Sequence, residues 1–260
     1  MATGVSQPHP RGKFRVAYLV LAVAVVVAGV LFFVMHDRSS QTAGTSIAAE
    51  ETWGTFHPAG LTQDRVQQIA LHVGSTYRTT GHHQLVAVSA SIPPAYQNNL
   101  PITQYVLSFQ NNGQTSYQAI PISSNNVLYE MCGLGPQCSI ASGKASTDRF
   151  RLLRREALEL ALYTFHYTGV GSVVTFLPPK KGERAQYVFL FLRTQFEQQG
   201  LLAKPLDAIL SESKPPPATA IPAAEAATID GITEPDLYRF RYTSDQQGGV
   251  LLVFDPPAAQ

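Results

Sequence analysis

The sequence is poor in charge, and this shortage excludes two classes of protein. Only 14% of its 260 residues are charged, and the 19 Lys and Arg nearly balance the 18 Asp and Glu. Without an excess of positive charge, binding to nucleic acid through bulk electrostatics is excluded. A hydrophobic content of 45% also argues against an intrinsically disordered chain. We therefore expect a folded protein with a sizeable core.

The sequence also lacks the short motifs that identify common chemistries. No HExxH, GxSxG, GxGxxG or SxxK element occurs where its mechanism would require it. The run Ser142-Gly143-Lys144 fails as a phosphate loop, because Cys138 and Ala145 stand where such a loop needs Gly and Ser or Thr. No catalytic residue, cofactor or metal site is predicted.

One long hydrophobic run lies near the N-terminus. Residues 16–35 contain no charged side chain, and a helix of this length spans about 30 Å, the thickness of the hydrocarbon core of a bilayer. The alternative is a cleaved signal peptide, whose apolar core is shorter, roughly 7–15 residues. We predict an uncleaved, single-pass transmembrane helix at 16–35, with the lipid bilayer as its partner.

The charges on either side of this run predict its orientation. Residues 1–15 contain three basic side chains and no acidic one, whereas residues 36–55 contain one basic and three acidic side chains. The positive-inside rule then places the arm 1–15 in the cytoplasm and residues 36–260 outside the cell membrane.

The segment after the helix has no periodic pattern. Residues 36–60 are mostly small and polar, which predicts a flexible tether. Trp53 and Phe56 within it either dock on the following domain or lie at the membrane surface. We assign residues 61–255 to an extracytoplasmic domain and residues 256–260 to a tail.

Two stretches of this domain have helical periodicity. Residues 61–78 place Val66 and Val73 on one face, with Thr62 as the expected N-cap and Leu61 as the outer residue of a hydrophobic staple. Residues 147–168 form a longer helix that starts with Asp148 in its first turn, where the helix dipole favours negative charge.

Short β-branched and aromatic runs predict strands around these helices. The predicted strands are 85–92, 103–110, 114–122, 127–131, 172–177, 186–193, 237–243 and 249–255. Asn112-Gly113 favours a type I′ hairpin turn. Neighbouring strands without strict βαβ alternation indicate an α+β domain with a mostly antiparallel or mixed sheet, and the 147–168 helix packed on one face. The Pro/Ala-rich stretch 213–229 is predicted to be an exposed loop.

The two cysteines of the chain, Cys132 and Cys138, enclose a short Gly- and Pro-containing turn. In an oxidising compartment this spacing predicts a disulfide. A redox-active pair is disfavoured because the spacing is not that of thioredoxin-like sites, and zinc is disfavoured because no histidine lies within twenty residues of the pair.

Other ionisable residues have simpler interpretations than catalysis. We interpret His82 and His83 as a solvated turn and His166 as a buried or interface histidine. Glu156 and Glu159 resemble a carboxylate pair, but Arg155 lies four residues before Glu159, so a solvated, salt-bridged helix face is the favoured interpretation.

Together these features predict a membrane-anchored protein whose outer domain is a binding, scaffold or accessory module at the cell envelope. Its expected partner is an envelope protein or a cell-wall component. The alternative hypothesis is an extracytoplasmic hydrolase or transferase whose active site is assembled from distant residues.

Overall fold

A computed structural model describes residues 53–257 with short gaps. The gaps are 80–81, 98–99, 112–113, 212–214, 216, 218–219 and 246–247. These residues belong to the compact unit Ala49–Gln260. The predicted cytoplasmic arm 1–15 and transmembrane helix 16–35, the Asn112-Gly113 turn and the last residues of the tail lie outside the described residues. No helix among the described residues is long and apolar enough to cross a bilayer.

The described residues form an α+β fold with four helices and nine strands. The helices are α1 (Thr62–Thr76), α2 (Thr147–Tyr167), α3 (Arg193–Gln198) and α4 (Ala223–Thr233), with short 3₁₀ turns at Pro136–Cys138 and Leu206–Ala208. The strands are β1 (Val86–Ser91), β2 (Tyr96–Gln97), β3 (Leu100–Asn111), β4 (Gln114–Pro121), β5 (Asn126–Gly133), β6 (Ser172–Phe176), β7 (Tyr187–Leu192), β8 (Leu237–Ser244) and β9 (Val250–Asp255). The predicted long helix and the strand positions are confirmed.

The strands form one mixed sheet. Their order is β1-β5-β6-β7-β8-β9-β3-β2, and β4 pairs with the free side of β3. The β5–β6 and β3–β9 pairs are parallel and the other pairs are antiparallel. The predicted 103–122 hairpin is confirmed by its register, in which Asn111 lies opposite Gln114.

Alternating side chains build a core on each face of this sheet. Val127 and Tyr129 belong to the larger core, which α1, α2 and α4 cover. Leu128, between them, belongs to a second core that also contains Tyr105 of β3 and Leu252 of β9. Because β5 and β3 lie near opposite ends of the strand order yet share this core, the sheet bends strongly around it.

The N-terminus of α1 differs from the prediction. Leu61, not Thr62, is the N-cap, and its backbone N–H donates to Asp64 Oδ2 at 3.1 Å. Leu61 is 78% exposed, so the predicted hydrophobic staple with Val66 is wrong. An acidic side chain in the first turn can accept from a free N–H and complement the helix dipole. Here the bond to Asp64 takes the place of the expected apolar contact between Leu61 and Val66.

The predicted exposed loop at 213–229 is also wrong in its second half. Residues 223–233 form α4, which begins after Pro222 and buries Glu225, Ile229, Ile232 and Thr233. Proline fits a helix start because it donates no N–H there, and alanine is the strongest helix former. Arg151 and Arg154 of α2 bind Asp230 of α4 and hold the two helices together.

The predicted flexible tether at 36–60 is wrong for residues 53–60, which pack against α1 and α2. Trp53 is buried and stacks on His166 with ring centroids 4.0 Å apart. Phe56 stacks on His72 at 3.8 Å and meets Tyr163 edge-on at 5.5 Å. Of the two placements left open for Trp53 and Phe56, docking on the domain is the one observed.

This docked segment makes a pH-dependent signal measurable. Partial burial lowers the pKa of His72 below its ordinary value of 6.5. A histidine whose pKa is lower in the folded state than in the unfolded state makes its full contribution to folding stability above pH 6.5. This contribution is lost as pH falls through the lowered pKa. We therefore expect the emission of Trp53, the one tryptophan of the chain, to shift to the red between pH 7 and pH 5.

His72→Phe keeps the aromatic contact with Phe56 and removes the titrating group. It should flatten the pH dependence of the emission, whereas His83→Phe, at an exposed position, should leave it unchanged. Equal pH profiles for both variants would show that His72 does not control the docking of this segment.

Candidate functional site

Unequal strand lengths open a groove on the second face of the sheet. β6 ends at Phe176 and β7 begins at Tyr187, whereas β5 and β8 continue past them to Gly133 and Ser244. Residues 131–133 then pair only with β1, and residues 241–244 only with β9, in the ladders of the described residues. The groove has a volume of about 820 Å³, within the range of ligand-binding pockets.

Glu130 lies in this groove, where β5 passes the end of β6. In the two ladders it is opposite Ser89 of β1 and Phe176 of β6. Its side chain is exposed, unlike most of β5, and it makes no hydrogen bond or ion pair with any described residue. A carboxylate left free in a concave site attracts a cationic group.

Two arginines also line this groove, and one of them is already paired with a carboxylate. Arg241 of β8 is neutralised by Asp255, because its Nε lies 2.9 Å from Oδ2 of that carboxylate. Arg184, on the turn between β6 and β7, is exposed and has no ion pair among the described residues. Among the described residues that line the groove, Glu130 therefore offers an available negative charge and Arg184 an available positive charge.

Aromatic rings of two strands provide the apolar part of the groove. Phe176 meets Phe240 edge-on at 5.0 Å, and Phe240 meets Tyr242 edge-on at 5.7 Å. Partial burial, with a further contribution from the Glu130 charge, raises the pKa of Tyr242. The carboxylate of Glu130 on β5 and the phenol of Tyr242 on β8 both line the groove.

The predicted disulfide forms part of the wall of the groove. Cys132 and Cys138 are bonded, with their Cα atoms 4.5 Å apart, and Gln137 and Cys138 line the groove. Both of these residues have positive φ values, 54° and 61°, a conformation that residues with a side chain adopt uncommonly. The cross-link holds this turn against β5.

On the other side of the sheet, α2 carries a buried network of charges. Arg155 Nε donates to Glu225 Oε1 at 2.7 Å, and Arg155 Nη1 donates to Glu159 Oε2 at 3.2 Å and to Tyr77 Oη at 2.7 Å. Tyr77 in turn donates to Glu159 at 2.5 Å. The predicted Arg155–Glu159 pair is therefore present, but the prediction of a solvated face is wrong, because both side chains are buried.

Glu156 is the second carboxylate for which solvation was wrongly predicted. It is 0% exposed, and neither oxygen has a hydrogen-bond partner among the residues that the structure describes. Burial first, and then repulsion by Glu159, raise its pKa well above the ordinary value. α2 is covered by α1 on one side and α4 on another, so Arg155, Glu156 and Glu159 are removed from water. This carboxyl group lies on the helix side of the sheet and does not line the groove.

Of the histidines considered in the sequence analysis, His82 and His83 do not share a site with His166. His82 and His83 are exposed, as predicted for a turn. His166 is half-buried against Trp53, which agrees with the predicted interface histidine. None of them lines the groove among the described residues, and no group of three or more His, Cys, Asp or Glu there is suited to hold a metal ion.

Glu130 and Arg184 were missed by sequence reasoning, although one signal pointed to Glu130. No Asp, Glu, Lys or Arg occurs from residue 79 to residue 129, so Glu130 ends a long uncharged stretch within a β-branched and aromatic strand. A single charge in such a strand is unusual, since charged side chains are rarely buried without a partner. Nothing comparable in the sequence distinguishes Arg184 from other exposed arginines.

No protein-family model, curated protein or solved structure matches this chain.

Proposed function

We propose that the protein is a membrane-anchored binding module of the cell envelope, and that the groove receives an extended polypeptide segment of an envelope partner. The anchor and the extracytoplasmic position are supported by the uncharged run at 16–35 and by the charge difference across it. The observation that supports the binding function is the groove between the ends of β5 and β8, where Glu130 of β5 has no ion pair among the described residues.

An extended segment suits the groove because the end of β8 has an edge without a ladder partner. Residues 241–244 are all exposed and pair only with β9 among the described residues. A peptide that adds to such an edge gains main-chain hydrogen bonds, and its side chains enter neighbouring pockets with a period of two. The aromatic rings of Phe240 and Tyr242 supply apolar contact beside this edge.

The charges of the groove define the preferred side chains of this segment. Glu130 selects a basic side chain, and Arg184 selects an acidic one. Alternate residues of a strand point to the same side and lie about 7 Å apart, so a basic and an acidic residue separated by one position can both face the groove. The free strand edge at residues 241–244 favours binding over the alternative of hydrolysis, because such an edge can pair with an extended segment.

A labelled peptide of sequence TVKVEVT tests this proposal by fluorescence anisotropy with the full chain in detergent micelles. Glu130→Gln should weaken binding about tenfold, or about 1.4 kcal/mol, because a hydrogen bond to a charged group contributes about 1.5–3 kcal/mol. Glu197→Gln is the matched control, since Glu197 is exposed on α3 and does not line the groove.

The charge assignment is tested with two modified peptides. With Glu130→Gln, replacing the peptide lysine by norleucine should have little further effect, whereas replacing the peptide glutamate by glutamine should still weaken binding. Arg184→Gln should show the reverse pattern. Equal affinity of the parent, Glu130→Gln and Arg184→Gln proteins for all three peptides would refute binding in this groove.

A further inference from the structure

The strand β4 forms an exposed edge of the sheet, and none of its described residues lines the groove. Within the described part of the chain, β3 is the strand that pairs with it. All of its residues except Ser116 and Ile120 are exposed, including Tyr117 at 61%. Such an edge presents main-chain donors and acceptors that another strand can pair with.

This edge lacks the usual protection against pairing. Proteins guard edge strands with charged side chains, especially lysine, or with bulges, prolines or a covering element. β4 lies within the uncharged stretch 79–129 and has one proline, Pro121, at its end. The edge strand at the other end of the sheet, β1, is covered by a helix. α1 packs on β1, and Gln67 Nε2 donates to the Ala90 carbonyl at 2.7 Å.

The register of the β3–β4 hairpin identifies the free main-chain groups. Thr103 lies opposite Ile122 in the continued register, and Ile122 N–H donates to the Thr103 carbonyl. Hydrogen-bonded pairs alternate along an antiparallel ladder. The even-numbered residues of β4 therefore bond to β3, and Thr115, Tyr117 and Ala119 direct their N–H and carbonyl groups outward.

We propose that two copies of this chain pair through β4, antiparallel about a two-fold axis. Outward-directed residues must face outward-directed residues, and the register with the greatest overlap puts Tyr117 opposite its own counterpart. Thr115 then lies opposite Ala119 of the second copy, so every outward N–H of these residues finds an acceptor. The occupant is a second copy because the strand is uncharged and complementary to itself in this register, as an isologous interface requires.

Cysteine cross-linking of the full chain in membranes tests this pairing. In the proposed register Ser116 lies opposite Gln118 of the second copy in a non-hydrogen-bonded pair, with Cα atoms about 4.5 Å apart, which suits a disulfide. Two differently tagged proteins, Ser116→Cys and Gln118→Cys, should form a disulfide-linked dimer when co-expressed. Each variant alone should cross-link several-fold less, because like positions are on the order of 8 Å apart, beyond disulfide reach. The two native cysteines are already bonded to each other and do not interfere.

Two further variants complete the experiment. Ala119→Pro removes one outward N–H and leaves the β3 ladder intact, so it should reduce the cross-linking several-fold when placed in both proteins. Leu71→Cys, at an exposed position of α1, measures random collision and should give little product. The proposal is overturned if the mixed pair gives no dimer, if its yield equals that of Leu71→Cys, if Ala119→Pro has no effect, or if the product contains a different protein.

Discussion

Replacing Arg155 with methionine should lower the free energy of unfolding by about 3–5 kcal/mol, the range measured when one partner of a buried ion pair is removed. The guanidinium is 1% exposed and bonds to Glu225, Glu159 and Tyr77. Without it, two buried carboxylates have no neutralising cation, and they must either stay charged in the core or take up protons. We expect the loss to be smaller at acidic pH, where protonation relieves the repulsion.

Urea unfolding of the full chain in detergent micelles, followed by near-ultraviolet circular dichroism, measures this loss. Arg151→Met is the matched control, because the Arg151–Asp230 pair is about a quarter to a third exposed and such pairs contribute roughly 0–1 kcal/mol. If Arg155→Met destabilises the protein no more than Arg151→Met, the buried network does not hold α2 to its neighbours.

Replacing Glu156 with methionine should have the opposite effect and raise the free energy of unfolding by about 1–3 kcal/mol. A buried polar group without a hydrogen bond costs roughly that amount, and methionine fills a similar volume without a polar oxygen. Glu159→Met should destabilise the protein instead, since it removes a partner of Arg155. The two substitutions thus change the same residue type, three positions apart, with opposite expected signs.

The pH profile of stability distinguishes the Glu156 effect from simple repacking. The pKa of this carboxyl is higher in the folded chain than its ordinary value of 4.5. Its contribution is therefore fully present below pH 4.5 and is lost as pH rises through the raised pKa. Glu156→Met should abolish this loss of stability as pH rises above 4.5. A variant that is less stable than the parent, or whose pH profile is unchanged, would contradict the assignment.

Much of the sheet was predictable because strand periodicity and turn chemistry are local properties. The hairpin flanking Asn112-Gly113 has its expected strands, and the strands at 172–177 and 186–193 occur within one or two residues of their predicted bounds. The disulfide was predictable for the same reason, since seven residues with Gly and Pro bring Cys132 and Cys138 together.

The errors arise where a third element decides the environment of a residue. The charged residues of α2 predicted a solvent-exposed helix face, yet α1 and α4 cover Arg155, Glu156 and Glu159. A sequence signal was present in retrospect, because these three side chains lie among Leu152, Leu153, Ala157, Leu158, Leu160 and Leu162. α4 itself was missed because proline content outweighed the helix propensity of its alanines.

The groove was not predictable from the sequence, because it arises from a mismatch between strands that are distant along the chain. β5 and β8 extend beyond the ends of β6 and β7, and this difference becomes visible only when all four strands lie side by side in the sheet. Nothing local at residues 241–244 shows that one of their edges has no ladder partner.

Hydrogen exchange of the full chain, with and without the TVKVEVT peptide, tests the proposed binding site most directly. We expect the peptide to slow amide exchange at residues 241–244, where it would pair with the free edge of β8, and at residues 130–133 beside Glu130. At a peptide concentration near the Kd of the parent protein, this protection should be much weaker in Glu130→Gln and unchanged in Glu197→Gln. Protection confined to β4 or to the helices, or equal protection in both variants, would contradict binding of a charged, extended segment in this groove.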